Sequence, residues 1–254
     1  MTIELENFPV VHAVTDSTIV MQDGFLERAT GVMRALGNRG ALHLRSSRLS
    51  GRQFHELATL LAKFQDVTGC WLIVNDRMDI AAAVGARGVQ LASHSLSIAD
   101  ALAVSRKLPV GASIHSVDEA IEAEAEGASW CVAGAVFETP SHAGQAPARL
   151  EFIERVASAV KIPVIAIGGV TPETVQSLKS AGAYGVATIR GAGWDRGLDS
   201  SESADDLLET RLPVLDDPGF AEPVTRYISA YDSDSGNSQD NHPDGERSPE
   251  GAGA

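Results

Sequence analysis

The sequence predicts an α/β fold, a single (β/α)8 (TIM) barrel, on three observations. Eight short β-branched or apolar runs alternate with stretches of helical spacing, the order of a parallel α/β protein. All eight lie within residues 10–193, and no glycine-rich dinucleotide turn follows the first run. Both facts favour a closed barrel over an open doubly wound sheet. Polar residues recur late in several runs, where a barrel opens from packed apolar layers into its mouth.

The runs are residues 10–15, 41–45, 70–75, 88–91, 110–116, 130–137, 164–168 and 185–189. Each is short, rich in Val, Ile and Leu, and bounded by glycine or a polar cluster, as buried parallel strands are. Candidate helices between them are residues 25–36, 51–64, 98–106, 118–126, 150–160 and 172–180. Ser97, Ser116 and Thr171 are N-cap types, and Pro172 suits a first helical position. Period-2 alternation puts His43 and Arg45 on one face of the second run, and Ser113 and His115 on one face of the fifth.

A last helix is expected over residues 220–231, packing Phe220, Val224, Tyr227 and Ile228. The barrel is thus read as residues 1–231. Residues 232–254 hold Asp, Ser, Gly, Asn and Pro with no aliphatic residue larger than Ala, and are read as a disordered acidic tail. The formal net charge is −14, but residues 199–254 contain fourteen acids and three bases and so carry −11 of it. The barrel is near neutral and has no basic stripe, which argues against nucleic acid. No run of about eighteen apolar residues would cross a membrane. The start lacks the basic-then-apolar pattern of a signal peptide, and Cys70 and Cys131 sit in apolar runs, so a reduced cytoplasmic protein is expected.

The strongest motif is residues 162–172, Ile-Pro-Val-Ile-Ala-Ile-Gly-Gly-Val-Thr-Pro. A buried strand ends in Gly168 and Gly169, and a helix starts at once. Paired glycines allow close approach of a ligand, and free N–H groups at a helix start favour an anion. The eighth run ends similarly, in Ile189-Arg190-Gly191-Ala192-Gly193. Loops after strands seven and eight form the recurrent phosphate site of barrels, so Gly168, Gly169, Arg190, Gly191 and Ala192 are candidate phosphate-binding residues.

These residues resemble the thiamine phosphate synthase/TenI family from about residue 11 to residue 193. Matching segments are His12-Ala13-Val14-Thr15-Asp16, Val74-Asn75-Asp76-Arg77-Met78-Asp79 and Val84-Gly85-Ala86-Arg87-Gly88-Val89-Gln90-Leu91. Gly111-Ala112-Ser113-Ile114-His115-Ser116, Val136-Phe137-Glu138-Thr139 and the double-glycine segment complete the set. The resemblance implies a (β/α)8 barrel that binds a small phosphorylated thiazole.

The family has two activities. Its synthases join a pyrimidine diphosphate to a thiazole phosphate with Mg²⁺, using a Q-x-R-x-K strand, carboxylates from N-D and G-Q-E-D-L motifs, and a T-P-T-K loop. Here the matching residues are His43, Arg45 and Ser47, then Asp76 and Ser95, then Thr139, Pro140, Ser141 and His142. One carboxylate and two lysines are replaced, which argues against displacing a diphosphate with Mg²⁺. Its TenI-branch tautomerases aromatise a thiazole carboxylate phosphate by moving a proton, without metal. Their base is a His directly before V-F-E-T, where this chain has Ala135.

The resemblance therefore implies a thiazole tautomerase with a relocated base, with no cofactor. The candidate bases are His115, His43 and His142. Arg45, Asn75, Asp76, Ser113, Thr139 and Ser141 are expected to contact substrate. His115 and His43 equally suit structural hydrogen bonds, His12 reads as structural, and His94 and His142 as solvated loop residues. The alternatives are a thiamine phosphate synthase, the one reading that would require Mg²⁺, and a non-catalytic thiazole phosphate binder. A homo-oligomer is compatible with the sequence.

Overall fold

The computed structural model describes residues 7–92, 95–105, 108–138, 149–194 and 222–233. Its eight strands are β1 (Val11–Val14), β2 (Gly40–Leu44), β3 (Trp71–Asn75), β4 (Gly88–Leu91), β5 (Val110–Ile114), β6 (Trp130–Gly134), β7 (Val164–Ile167) and β8 (Gly185–Thr188). All are parallel and pair in sequence order, and β8 closes on β1 through Val11↔Val186 and Ala13↔Thr188. The predicted (β/α)8 barrel is therefore the fold.

The helices are α1 (Ser17–Val20), α2 (Phe25–Leu36), α3 (Gly51–Thr68), α4 (Met78–Val84), α5 (Ile98–Val104), α6 (Val117–Ala125), α7 (Arg149–Ala159), α8 (Val175–Ser180) and α9 (Glu222–Asp232). Ser97 and Ser116 cap α5 and α6 by accepting the Asp100 and Glu119 N–H groups. A 3-10 turn, Pro172–Thr174, leads into α8. The sequence reading lacks α4: it has seven residues and Arg77, which gives no side-chain cap, precedes it. The sixth strand is shorter than expected. Beyond Gly134 the chain leaves the ladder, and Val136 and Phe137 donate instead to Ile167 and Gly168 carbonyls. Val224 and Tyr227 are buried under α9 as expected, with Ile228 partly so; Phe220 and the tail from residue 234 lie outside the described residues. No helix among the described residues is long and apolar enough to cross a membrane.

Outward strand residues pack against the helices in one large apolar cluster. Inward residues form a second, with Val14, Ala41, Ile73, Val132, Ile165 and Ala187 filling the lumen. An aromatic plug closes the floor: the Phe8 ring meets Trp71, Trp130 and Tyr184 at centroid distances of 5.6, 5.3 and 5.6 Å. Trp130 crosses the lumen only because Gly111 and Gly88 face it. A Cβ at Gly111 would lie 2.1 Å from the indole, and one at Gly88 2.8 Å.

Above the plug the lumen turns polar. His12 Nε2 lies 3.1 Å from the Pro9 carbonyl, and His12 Nδ1 lies 2.8 Å from His43 Nε2. Both imidazoles are buried. Burial pushes His12 down to about 4 and His43 well below its ordinary value, so both are neutral at pH 7. The unfolded chain therefore takes up protons that the folded chain refuses as pH falls from 6.5 toward 4. Stability from this pair is complete above pH 6.5 and drains away below it, with His12 alone accounting for on the order of 3 kcal/mol by pH 4. Urea unfolding between pH 7.5 and 4.5 should show a steeper loss for this chain than for a His12→Asn, His43→Gln double variant. Equal slopes would contradict neutral burial.

Candidate functional site

The C-terminal ends of β7 and β8 carry the residues that the sequence marks as candidates for phosphate binding. Gly168 and Gly169 have φ of +100° and +64°. A Cβ on Gly168 would lie 2.6 Å from Ala135 Cβ, and one on Gly169 2.5 Å from the Glu138 carbonyl oxygen. Conformation and space thus both require glycine here. The Gly168, Gly169 and Val170 N–H groups donate to nothing among the described residues, and Thr171 N–H is taken by Thr174 Oγ1 at 3.1 Å. Three successive backbone donors without a partner among the described residues thus precede a helical turn, the arrangement in which anions are held in other proteins.

The β8 loop contributes differently. Gly191 N–H donates to Thr188 Oγ1 at 3.1 Å, and Ala192 N–H to the Ile189 carbonyl at 3.4 Å, so both groups already have partners. Arg190, in the 3-10 turn Arg190–Ala192, is exposed. Gly191 is required by α9: a Cβ there would stand 2.0 Å from the Tyr227 hydroxyl. That hydroxyl donates to the Val170 carbonyl at 3.0 Å and lies 3.4 Å from Thr188 Oγ1. One buried phenol thus ties the β7 and β8 loops together. The sequence marked Tyr227 only as a core residue, because nothing local shows that it reaches two distant loops.

At the other side of the mouth, Asp76 follows β3 with φ of +60°. Its Oδ1 accepts the Ala92 N–H at 3.0 Å and the Ser95 hydroxyl. Asn75, buried at the end of β3, interacts with His43, and its Oδ1 has no partner among the described residues. Ser113 Oγ accepts Gln90 Nε2–H at 3.1 Å, and Gln90 Oε1 accepts Trp130 Nε1–H at 2.8 Å. Arg45 is exposed at the rim, its backbone N–H held by Thr15 Oγ1 at 2.9 Å. Ser47 is tied to Ser17, through its N–H at 2.8 Å.

Of the candidate bases, His43 lies in the lumen with Nε2 committed to His12. His115 stands half-exposed just beyond β5, with Nδ1 3.5 Å from Glu119 Oε2. Glu119 also accepts the His115 backbone N–H at 2.7 Å and so fixes the start of α6. His142, Thr139 and Ser141 lie outside the described residues, as does His94. Val136, Phe137 and Glu138, with Arg149, Leu150 and Glu151, line a recess of about 400 Å³.

A profile described as thiamine monophosphate synthase, TMP-TENI, matches residues 11–192, most of the chain. The chain belongs to this family. It is 44% identical over 162 residues to the thiamine-phosphate synthase of Chlorobium luteolum, covering 62% of this chain and 76% of that protein. It is 35% identical over 153 residues to the thiamine-phosphate synthase of Pyrococcus abyssi, covering 60% and 74%. The solved thiamine phosphate pyrophosphorylase from Pyrococcus furiosus superposes with a TM-score of 0.72 at 25% identity, over 90% of this chain and 98% of that one. The profile spans both branches of the family. The names of these relatives favour the synthase reading over the tautomerase expected from the sequence.

Replacing Tyr227 by Phe would leave the buried Val170 carbonyl without its donor. Urea unfolding should show a loss of about 1–2 kcal/mol, and the affinity for inorganic phosphate should fall as the two loops separate. Unchanged phosphate affinity would mean that the phenol does not hold the site.

Proposed function

We propose that this barrel binds a thiazole phosphate at the Gly168–Gly169 cradle and moves a proton on it without a metal, as a thiazole tautomerase of thiamine biosynthesis. The carrying observation is the Asp76–Ser95 pair. In the synthase pattern the N-D and G-Q-E-D-L motifs each supply a carboxylate for Mg²⁺, and the second of these is Ser95 here. Here Asp76 Oδ1 accepts the Ser95 hydroxyl and the Ala92 N–H, so the second position answers the carboxylate with a donor and not with a second negative charge. A single carboxylate gives a divalent ion a weaker hold than the pair in the synthase pattern, and Ser47 takes the place of a lysine that would help to hold the diphosphate. Among the described residues, no three His, Cys, Asp or Glu side chains cluster for a metal.

His115 is the base that the geometry favours. Glu119 beside Nδ1 can orient the ring, which leaves Nε2 to take a proton from the ligand. His43 is less suited, because its site opposes the charge that a base acquires. Arg45, an exposed cation at the mouth, suits the ligand carboxylate. The proton removed from one carbon is balanced by one delivered to another, so no co-reactant is needed.

The second reading is a thiamine phosphate synthase. The names of the relatives support it, and sequence identity of 35–44% supports a shared ligand more firmly than a shared reaction. Chromatography separates the two. With the non-aromatic thiazole carboxylate phosphate and a chelator present, formation of the aromatic isomer should be accelerated over the no-protein control, and His115→Ala should lower the rate about 100-fold or more. No acceleration, together with Mg²⁺-dependent product from the pyrimidine diphosphate and thiazole phosphate, would replace this reading with the synthase. Neither reaction, with saturable thiazole phosphate binding, would leave a binding protein.

A further inference from the structure

The loop after β7 is held in shape by its carbonyls. Val136 N–H donates to the Ile167 carbonyl at 2.9 Å, and Phe137 N–H to the Gly168 carbonyl at 3.0 Å. In a trans peptide the N–H points opposite to the C=O, so these two bonds aim the Gly168 and Gly169 N–H groups away from β6. The Val170 carbonyl is held from elsewhere, by the Tyr227 hydroxyl of α9 at 3.0 Å. That bond fixes the peptide at which the loop turns into Pro172–Thr174. One end of the loop is thus fixed by the barrel wall, and the other by the last helix.

Contact with α9 continues along the chain. Arg226 pairs with Glu173 at 3.1 Å. Gln176 Nε2 donates to the Ala230 carbonyl and, at 2.6 Å, to the Ser233 carbonyl, while Lys179 Nζ donates to the Tyr231 carbonyl at 2.9 Å. Val170, Glu173, Gln176 and Lys179 stand three residues apart, so α9 lies along the whole segment that carries the cradle.

The shape of α9 depends on this docking. It has 11 residues, too few for a stable isolated helix. Its last carbonyls have no partner within the helix and are capped by Gln176 and Lys179 of α8. Val224 and Tyr227 are its buried anchors, and residues 195–221 separate it from the loop after β8. A helix with so few apolar anchors opens at a lower free energy than the strands of the barrel.

We propose that α9 is a positioning element coupled to the anion site, with Tyr227 as the link. Docked α9 holds the Val170 carbonyl and with it the cradle, and an anion on the cradle in turn holds α9 in place. Linkage makes the effect reciprocal: the factor by which docking raises anion affinity is the factor by which the anion favours docking. Gly191 belongs to the same device, since a Cβ there would stand 2.0 Å from the phenol oxygen. The coupling rests on the cradle holding an anion, and not on which thiazole reaction follows.

Hydrogen–deuterium exchange of the full chain at pH 7, followed by mass spectrometry, reads the coupling. Saturating inorganic phosphate should slow exchange in residues 222–233 about fivefold or more, the size of an ordinary coupling, and leave α5 within about twofold. Helix α5 is the control because it follows β4, on the wall opposite β8. Tyr227→Phe and Gly191→Ala, each saturated at its own affinity, should exchange α9 faster than the parent and lose the slowing by phosphate. Calorimetric titration beside the exchange separates the failures. Saturable phosphate binding with α9 exchange unchanged, or with α5 slowed equally, would overturn the coupling alone. Full slowing retained in Tyr227→Phe would overturn the phenol as its link. No saturable phosphate binding would overturn the cradle and the coupling together.

Discussion

A closed eight-stranded barrel leaves its lumen almost no water, so each polar side chain that enters must find its partner among the other inward residues. That constraint organises this molecule from floor to mouth. Phe8, Trp71, Trp130 and Tyr184 seal the bottom. Trp130 fits only across glycines, and its one polar atom must be answered inside. Gln90 answers it, and Ser113 then answers Gln90. His12 and His43 meet the same demand from the opposite wall, starting at Pro9. Packing at the floor is thus linked by hydrogen bonds to Ser113 on one wall and His43 on the other.

The phosphate end of the site obeys a different constraint, backbone geometry. The loop after β7 passes so close to Ala135 and Glu138 that side chains are excluded at Gly168 and Gly169, and their positive φ angles turn consecutive N–H groups outward. Tyr227 of α9 then clamps this loop to the one after β8. A phosphorylated ligand is the one proposed for this cradle. Departures from the family patterns stand on both sides of the mouth: Ser95 and Ser47 in place of a carboxylate and a cation at one rim, and Ala135 beside Gly168 at the other.

Much of this was legible in the sequence because the signals are local. Strand runs and caps follow from β-branched content and from Ser97 and Ser116, and α2 is observed over the predicted residues. The double glycine announces its loop because glycine followed by Thr-Pro has few other uses between a strand and a helix. Three features were not legible, and each depends on partners distant in the chain. His12 and His43 are 31 residues apart, Gln90 and Trp130 are 40 apart, and Tyr227 reaches a carbonyl 57 residues away. Period-2 alternation correctly put His43 inside, but could not show that His12 would take one of its nitrogens. Nor could it show that Gly191 makes room for a tyrosine, since a glycine after a strand reads the same whether a ligand or a side chain fills the space.

The claim on which the rest hangs is that the ligand phosphate sits on the backbone after β7. Amide ¹H–¹⁵N spectra recorded during titration with thiazole phosphate test it most directly. The largest downfield shifts are expected at Gly168, Gly169 and Val170. Saturable binding that leaves those three amides unmoved would contradict the site.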